Sequence, residues 1–528
     1  MLYQRVISKC YIKEFFCRKE FNMTKYKKAA LAGFRRALPF SLYALAVIIM
    51  CLNVALIFDN VLWGDEAFSA NMVRNDPYGM MQIIHFWDSH PPFYYFWLKL
   101  CSELLGHNSY IYHLASVIPY LGSALLAILC FPKRFGHIPT ALFLIFTGLS
   151  SECLMYNVEI RMYSTATFFI LCAFYAVYLI LDENRKSAWW LLVICGLCAS
   201  YSHLYCFMIA GLMVFFTGCA ALLKHGKPAL KPALFALFGF IIGYIPWLLE
   251  MFGRMAGMLG SWWMTAPATL KETVNMIFGG ENTRKLLMPL LALMILMIGL
   301  IECRFVSRGE DRRLRLHIKC PNLKGFSTQM LFILVGCLTI ACTFIVAYGF
   351  SYLIKPMLAR RYVYPLTAVI ALLLAVAVSY LLHYFKDHPV KVFFPEIPFI
   401  AKGLSLLLTT ALLITGLQNY RIFYADCRYQ ENRTQEILSL IGDDPDYLVS
   451  NGVTHLSWTV FGYYYPETEG FDASHVAMTA DDFWYFKATP MTEEEIASMT
   501  DRGYKYDEYK DMVFVKYHCA LYHFYKES

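Results

Sequence analysis

The chain has 528 residues, 58% hydrophobic and only 16% charged, with a mean hydropathy of +0.46. Soluble domains run nearer one half apolar and one quarter charged, so the composition excludes a soluble globular protein and points to one embedded in a lipid bilayer. The formal charge of +7 does not point to nucleic acid, because Lys and Arg fall in short clusters between apolar runs, where they carry topology.

Residues 1–37 form a basic N-terminal stretch (Lys25, Lys27, Lys28, Arg35, Arg36) ahead of a long apolar run with no small-residue cleavage signature. That is the pattern of a retained signal anchor. Met23, opening MTKYKK, reads as an alternative start. A span needs about 20 largely apolar residues. Such segments fall near 38–58, 112–131, 138–151, 163–181, 188–203, 204–222, 232–250, 286–302, 327–352, 362–384 and 401–418, which makes about eleven. Most of the 17 cysteines lie inside these runs, where Cys behaves as a small hydrophobe, and no Cys/His metal spacing is legible.

With the N-terminus in the cytoplasm, the inner loops receive Lys133 and Arg134; Arg185 and Lys186; Lys224, Lys227 and Lys231; the run 304–324 with Arg312, Arg313 and Arg315; and Lys386 with Lys391. This follows the positive-inside rule at every turn. Residues 59–111, 152–162, the Ser202–His203 turn, 251–285, 353–361 and the tail from 419 are then outside. In the first outer loop, 65–74 and 78–87 have helical periodicity and are expected to lie in the interface plane, with Pro91 and Pro92 ending the second helix. The 260–264 stretch, Gly-Ser-Trp-Trp-Met, reads as another interfacial patch. From about 421 the apolar runs shorten and acids cluster. Tyr447-Leu-Val-Ser and Met512-Val-Phe-Val-Lys read as strands, and 492–499 as a helix capped by Thr492, giving a small α/β domain over 421–528.

The candidate chemistry sits in the outer loops. Asp65 and Glu66 directly follow the first span. Glu66 fits a helix N-terminus as well as a catalytic part, whereas Asp65 at headgroup level suits a general base acting on a hydroxyl acceptor. Asp88 and His90 precede the di-proline turn, which fixes the direction of His90; the ring belt 93–97 after it reads as anchor or packing. Glu159 and Arg161, within YNVEIRMYS, are charges costly beside hydrocarbon unless used. Arg161 matches phosphate oxygens in a fork, and Glu159 supplements Asp65 on the acceptor. His203 lies at an outer boundary, as structural hydrogen-bonder or ligand. Lys355, Arg360 and Arg361, in KPMLARRYVYP, place three cations on the outside against the general bias, which favours phosphate binding over headgroup anchoring.

Five segments together resemble the GT-C superfamily of membrane glycosyltransferases, nearest to the bacterial protein-mannosyltransferase-like and aminoarabinose-transferase-like families, including the lipopolysaccharide-glycosyltransferase group. They are WGDEA at 63–67, DSHPPFYY at 88–95, EIRMY at 159–163, SHLY at 202–205 and RYVYP at 361–365, spread over roughly 40–420. The resemblance implies a GT-C type polytopic α-helical membrane protein, with a catalytic domain over 38–420 and an extracytoplasmic domain after it. It implies an inverting transferase taking a hexosyl or pentosyl unit from a polyprenyl-phosphate carrier to a glycan, lipid or protein acceptor. Asp65 would be the base, and Tyr163 and Tyr362 would join the substrate site through their motifs. No cofactor and no metal are implied. Two positions depart from the pattern. Some relatives carry a lysine in place of His90. Many carry an arginine where His113 stands in YHLAS, which shifts the expected phosphate contacts to Arg161 or to Arg360 and Arg361. A transporter or flippase of a lipid-linked saccharide is the alternative function; it would place charges mid-span and show repeated halves.

Overall fold

A computed structural model describes residues 38–526 except 60, 261–263, 304, 308–315, 319–324, 388–396, 444, 454–455 and 473–479. The basic N-terminal stretch, the paired tryptophans of 260–264, the arginines of the 304–324 run and Lys391 lie outside the described residues. The protein is a polytopic helical membrane protein with a small C-terminal sheet domain.

Among the described residues, nine helices are long and apolar enough to cross a membrane. The pair His137–Leu149 and Ser151–Val158, bent by 66°, together has the length and apolarity of a tenth, as a broken span or a re-entrant loop. The Lys186–Ser202 helix, 17 residues long, accounts for the eleventh segment expected from hydropathy. Polar caps start several spans. Asn108 accepts from the Ile111 N–H at 3.1 Å, and Ser327 from that of Met330 at 3.1 Å. The span expected at 362 begins instead at Leu366, because Arg360–Val363 forms a 3₁₀ turn ahead of Pro365.

Tyr163–Glu183 and Leu366–Asp387 are the most enclosed spans and form the centre of the bundle. The bent pair packs close against the first span, where Asn53 Nδ2 donates to the Gly148 carbonyl at 2.9 Å. A Cβ at Gly148 would meet Ile49 Cγ2 at 2.3 Å, so only glycine permits this approach. At one end of the bundle Arg134 binds Asp182 and Glu183, at 3.0 and 2.6 Å. At the other end the first long loop folds into three helices, Gly64–Arg74, Pro77–Trp87 and Phe93–Leu105. Asp76 caps the second of these, accepting from Gly79 N at 2.7 Å with Pro77 at the first helical position.

One helix, Ile397–Ile441, crosses position 421 without a break and carries the chain from the last span into the sheet domain. The sheet order is 469–472, 447–451, 482–487, 517–525, 505–514; the first three strands are parallel and the last two join antiparallel. The Glu493–Thr500 helix is held by a reciprocal box, Thr492 N to Glu495 Oε2 at 2.7 Å and Glu495 N to Thr492 Oγ1 at 3.2 Å. The stretch Met512-Val-Phe-Val-Lys is not all strand: the strand ends at Phe514, and Val515 and Lys516 form the turn of a hairpin that re-enters at Tyr517. Tertiary packing overrides local preference here, since Val515 carries no turn signal and is fully buried.

Candidate active site

The sheet domain and the first-loop helices meet at the end of the bundle that carries the outer-loop charges. Gly64 N donates to Tyr517 Oη at 3.3 Å, Leu62 N to Tyr464 Oη at 3.2 Å, and Asn71 Nδ2 to the Thr459 carbonyl at 2.8 Å. These contacts fix the N-terminal turn of the Gly64–Arg74 helix, on which Asp65 and Glu66 point in different directions.

Asp65 keeps 19% of its side chain open and accepts from Arg361 Nη1 at 2.8 Å. Glu66 is only 2% exposed. Its Oε1 accepts from Ile160 N at 3.0 Å, and its Oε2 from Trp63 N at 3.3 Å, so its carboxylate ties the helix start to the turn between Glu159 and Arg161. His113, at the arginine-bearing position of the family pattern, is buried in the same layer. Its Nδ1 donates to the Val158 carbonyl at 2.8 Å and lies 3.8 Å from Glu66.

A second chain of contacts links the remaining polar groups. Asp88 accepts from His90 Nδ1 at 2.6 Å, from His90 N at 3.2 Å and from the Tyr95 hydroxyl. Arg161 Nη1 donates to Tyr95 Oη at 3.2 Å, to Ser69 Oγ at 3.2 Å and to the Asp65 main-chain carbonyl at 3.5 Å. Burial alone would raise Asp88. The neighbouring His90 and Arg161 charges and the hydrogen bonds outweigh it and hold the carboxyl well below its ordinary range. An ionised Asp88 accepts only, so the His90 proton on this side sits on Nδ1 and Nε2 is the ring's other polar atom. Burial works against the Arg161 charge, but the surrounding Tyr95, Asp65 and Asp88 keep it protonated.

His90, His203 and Tyr362 stand around one point, with ring centroids 5.8 Å apart for His90–His203 and 5.4 Å for His203–Tyr362. They line the polar end of an apolar cavity of about 280 Å³ walled by Phe207, Met208, Leu248, Met251, Val346 and Phe350. Burial, reinforced by the Arg161 and Arg361 charges and by His90 beside it, pushes His203 well below the ordinary histidine value, so it is neutral. Glu159 is buried, and desolvation together with the nearby Glu66 raises it to about 8.

Among the buried polar atoms that lack a hydrogen-bond partner among the described residues are Glu159 Oε2, Arg161 Nε, Tyr163 Oη and His203 Nε2 here. An orphaned buried donor or acceptor costs about 1–3 kcal/mol, so their clustering marks a place prepared for a polar ligand. No group of three or more His, Cys, Asp or Glu side chains is arranged to hold a metal ion among the described residues.

Asp65, Asp88, His90, Arg161, Tyr163, His203, Arg361 and Tyr362 thus share one neighbourhood, with Glu66 and Glu159 against its back. Arg360 is 54% exposed and turned to Glu152 at 3.9 Å, and Lys355 lies half-buried at the start of the same loop. The ring belt is divided: Tyr94 and Tyr95 are fully buried, whereas Phe96 is exposed. Sequence periodicity gave no sign that Tyr95 would bridge Asp88 and Arg161, nor that Ser69 or Lys516 would come here. Spacing could have found Ser69 alone, one helical turn after Asp65.

Neither a protein-family model nor a curated protein matches the chain. Solved structures do. ArnT from Cupriavidus metallidurans superposes in its apo state with a TM-score of 0.54 at 12% identity, covering 94% of this chain and 98% of ArnT. The chain has the ArnT fold. The same enzyme bound to undecaprenyl phosphate gives a TM-score of 0.53 at 12% identity, over 92% of this chain and 97% of that one. The likeness to ArnT therefore takes in the sheet domain as well as the spans.

Proposed function

We propose that the protein is an inverting glycosyltransferase that moves a hexosyl or pentosyl unit from a polyprenyl-phosphate carrier to an acceptor at the extracytoplasmic face of the cell membrane. The observation that carries this reading is the Asp65–Arg361 pair beside an apolar cavity whose polar end holds Tyr362, the next residue along. A carboxylate base and a phosphate-matching guanidinium stand together, next to a slot suited to an isoprenoid chain. The undecaprenyl phosphate bound by the structurally similar ArnT supports a carrier of this class. The excess of Lys and Arg at the opposite end of the bundle supports a cytoplasmic N-terminus and an extracytoplasmic site.

In this mechanism the carrier chain occupies the cavity and its phosphate meets Arg361 and Arg161, with His90 Nε2 as a further contact. The phosphate competes with Asp65 for the Arg361 guanidinium, and the released carboxylate is the stronger base. The acceptor oxygen bonds to the anomeric carbon as its proton passes to Asp65. The carbon–oxygen bond to phosphate breaks, its electron pair leaves with the phosphate, and direct displacement inverts the centre. The buried Arg161 and half-buried Arg361 guanidinium groups stabilise the departing charge. Glu159, raised to about 8, is protonated at neutral pH and donates a hydrogen bond to the sugar or acceptor. Glu66 holds Asp65 in place.

The test is transfer by the full chain in proteoliposomes, using labelled polyprenyl-phosphate sugars and envelope extracts as acceptor. Label is expected in the acceptor with release of polyprenyl phosphate, and Asp65→Asn should abolish this while the protein stays folded. Passage of intact carrier-linked sugar across the bilayer, with no bond cleaved, would establish a flippase instead.

A further inference from the structure

The polar site is completed from the far end of the chain. The hairpin turn at Val515 and Lys516 has positive φ at both residues, 51° and 77°. Two-residue turns of this shape ordinarily carry Asn-Gly or Asp-Gly, and a β-branched residue there is an outlier that persists only when its surroundings impose it. Those surroundings are visible. Val515 is fully buried, and its N–H donates to Thr434 Oγ1 on the long exit helix at 3.0 Å. Tyr517, on the other side of the turn, accepts from Gly64 N at the start of the Asp65 helix. Between them Lys516 stands over the Trp63 ring, 5.9 Å from its centroid, with Nζ 3.9 Å from Glu66 Oε2.

Glu66 already accepts from Ile160 N and Trp63 N, and Lys516 adds a positive charge to that set. Glu66 is nearly sealed from solvent, with the buried acid Glu159 and His113, at 3.8 Å, among its titratable neighbours. A carboxylate beside another acid in low dielectric is held only if charge or hydrogen bonds balance it. Lys516 is a cation that the sheet domain brings, and it remains 40% exposed at the rim.

We propose that Lys516 is a positioning residue of this active site: the hairpin tip balances Glu66, and through it locks the Asp65-bearing helix end to the Glu159–Arg161 turn. The sheet domain is then a working part of the site. This rests on the transferase reading above for its catalytic consequence, and on contacts alone for its structural one.

The test uses the full chain in proteoliposomes, with Lys516→Met and Lys516→Arg, each alone and with Glu66→Gln. Lys516→Met is expected to lower kcat about fivefold with the KM for the lipid-linked donor unchanged. Lys516→Arg should recover most of the rate, and in the Glu66→Gln background Lys516→Met should add little. A wild-type rate in Lys516→Met, a loss confined to donor KM, or the same loss without Glu66 would overturn the proposal. Amide exchange supplies an arm that needs no transfer: amides of Trp63 and Ile160 should exchange several-fold faster in Lys516→Met. Unchanged exchange would refute the positioning role even in a protein that transfers no sugar, whereas a wild-type chain without transfer defeats only the functional reading.

Discussion

On one side of the Gly64–Arg74 helix start, Asp65 is open enough to meet solvent and pairs with the Arg361 guanidinium; on the other, Glu66 is closed and accepts from two main-chain N–H groups. The same contrast separates the two sets of positive charge. Arg161 and Arg361 are enclosed by carboxylate, phenol and hydroxyl partners, whereas Arg360, adjacent in sequence, is exposed and loosely placed. Adjacent residues of like chemistry therefore take different work. An open group paired with a guanidinium at the rim can give that partner up to a substrate, while a closed group with fixed partners can only hold its surroundings.

This contrast can be broken experimentally. The largest effect is expected for Asp65→Asn, which removes the base without changing shape and should lower kcat by about 10²–10⁴-fold; Glu66→Gln should lose far less rate and show its effect as a lower Tm. Similar rate losses from both would erase the distinction. Arg361→Ala should cost about 10²–10³-fold in kcat, against less than about twofold for Arg360→Ala, if enclosure decides which cation meets the leaving phosphate. Asp88→Asn removes the carboxylate that His90 and Tyr95 both bond, and with it the negative charge that Tyr95 links to Arg161. It should destabilise the protein by about 3–5 kcal/mol, read from denaturation in detergent, and Tyr95→Phe by about 1–3 kcal/mol.

The smallest and most specific effect concerns pH. Glu159 ordinarily titrates near 4.5 and here near 8. Between those values the folded chain holds a proton that the unfolded chain has lost, so this group makes stability fall as pH rises through the window and level off above 8. Activity that depends on neutral Glu159 should decline above about pH 8. Glu159→Gln, which imitates the protonated form, should keep most of the activity and lose that alkaline decline. A decline of unchanged position in the variant would assign it to another group.

The spans and the first-loop helices were legible because apolar length and 3.6-residue periodicity survive in a single sequence. Asp65, Arg161 and Arg361 stood out for a related reason: a charge placed against hydrocarbon is expensive, so its presence asks for a use. What could not be read was partnership. Asp65 and Glu66 have the same local sequence, and only the approach of Ile160, 94 positions away, divides their roles. Tyr95 sits in a run of five aromatics with nothing to mark it from Phe96. Lys516 lies about 450 residues from Glu66 in a turn whose valine argues for strand, so its arrival is a product of tertiary packing alone. The exit helix likewise hid the start of the sheet domain, because its solvent-side half keeps helical propensity after its apolar run ends.

The central claim is that Asp65 and Arg361 act on opposite ends of one transfer and separate when donor arrives. A structure of the full chain in lipid nanodiscs with polyprenyl phosphate tests it most directly. The phosphate should bind Arg361 at the polar end of the apolar cavity, with the Asp65 carboxylate released and facing open space for an acceptor. Phosphate bound elsewhere, with the Asp65–Arg361 pair still closed at 2.8 Å, would contradict it.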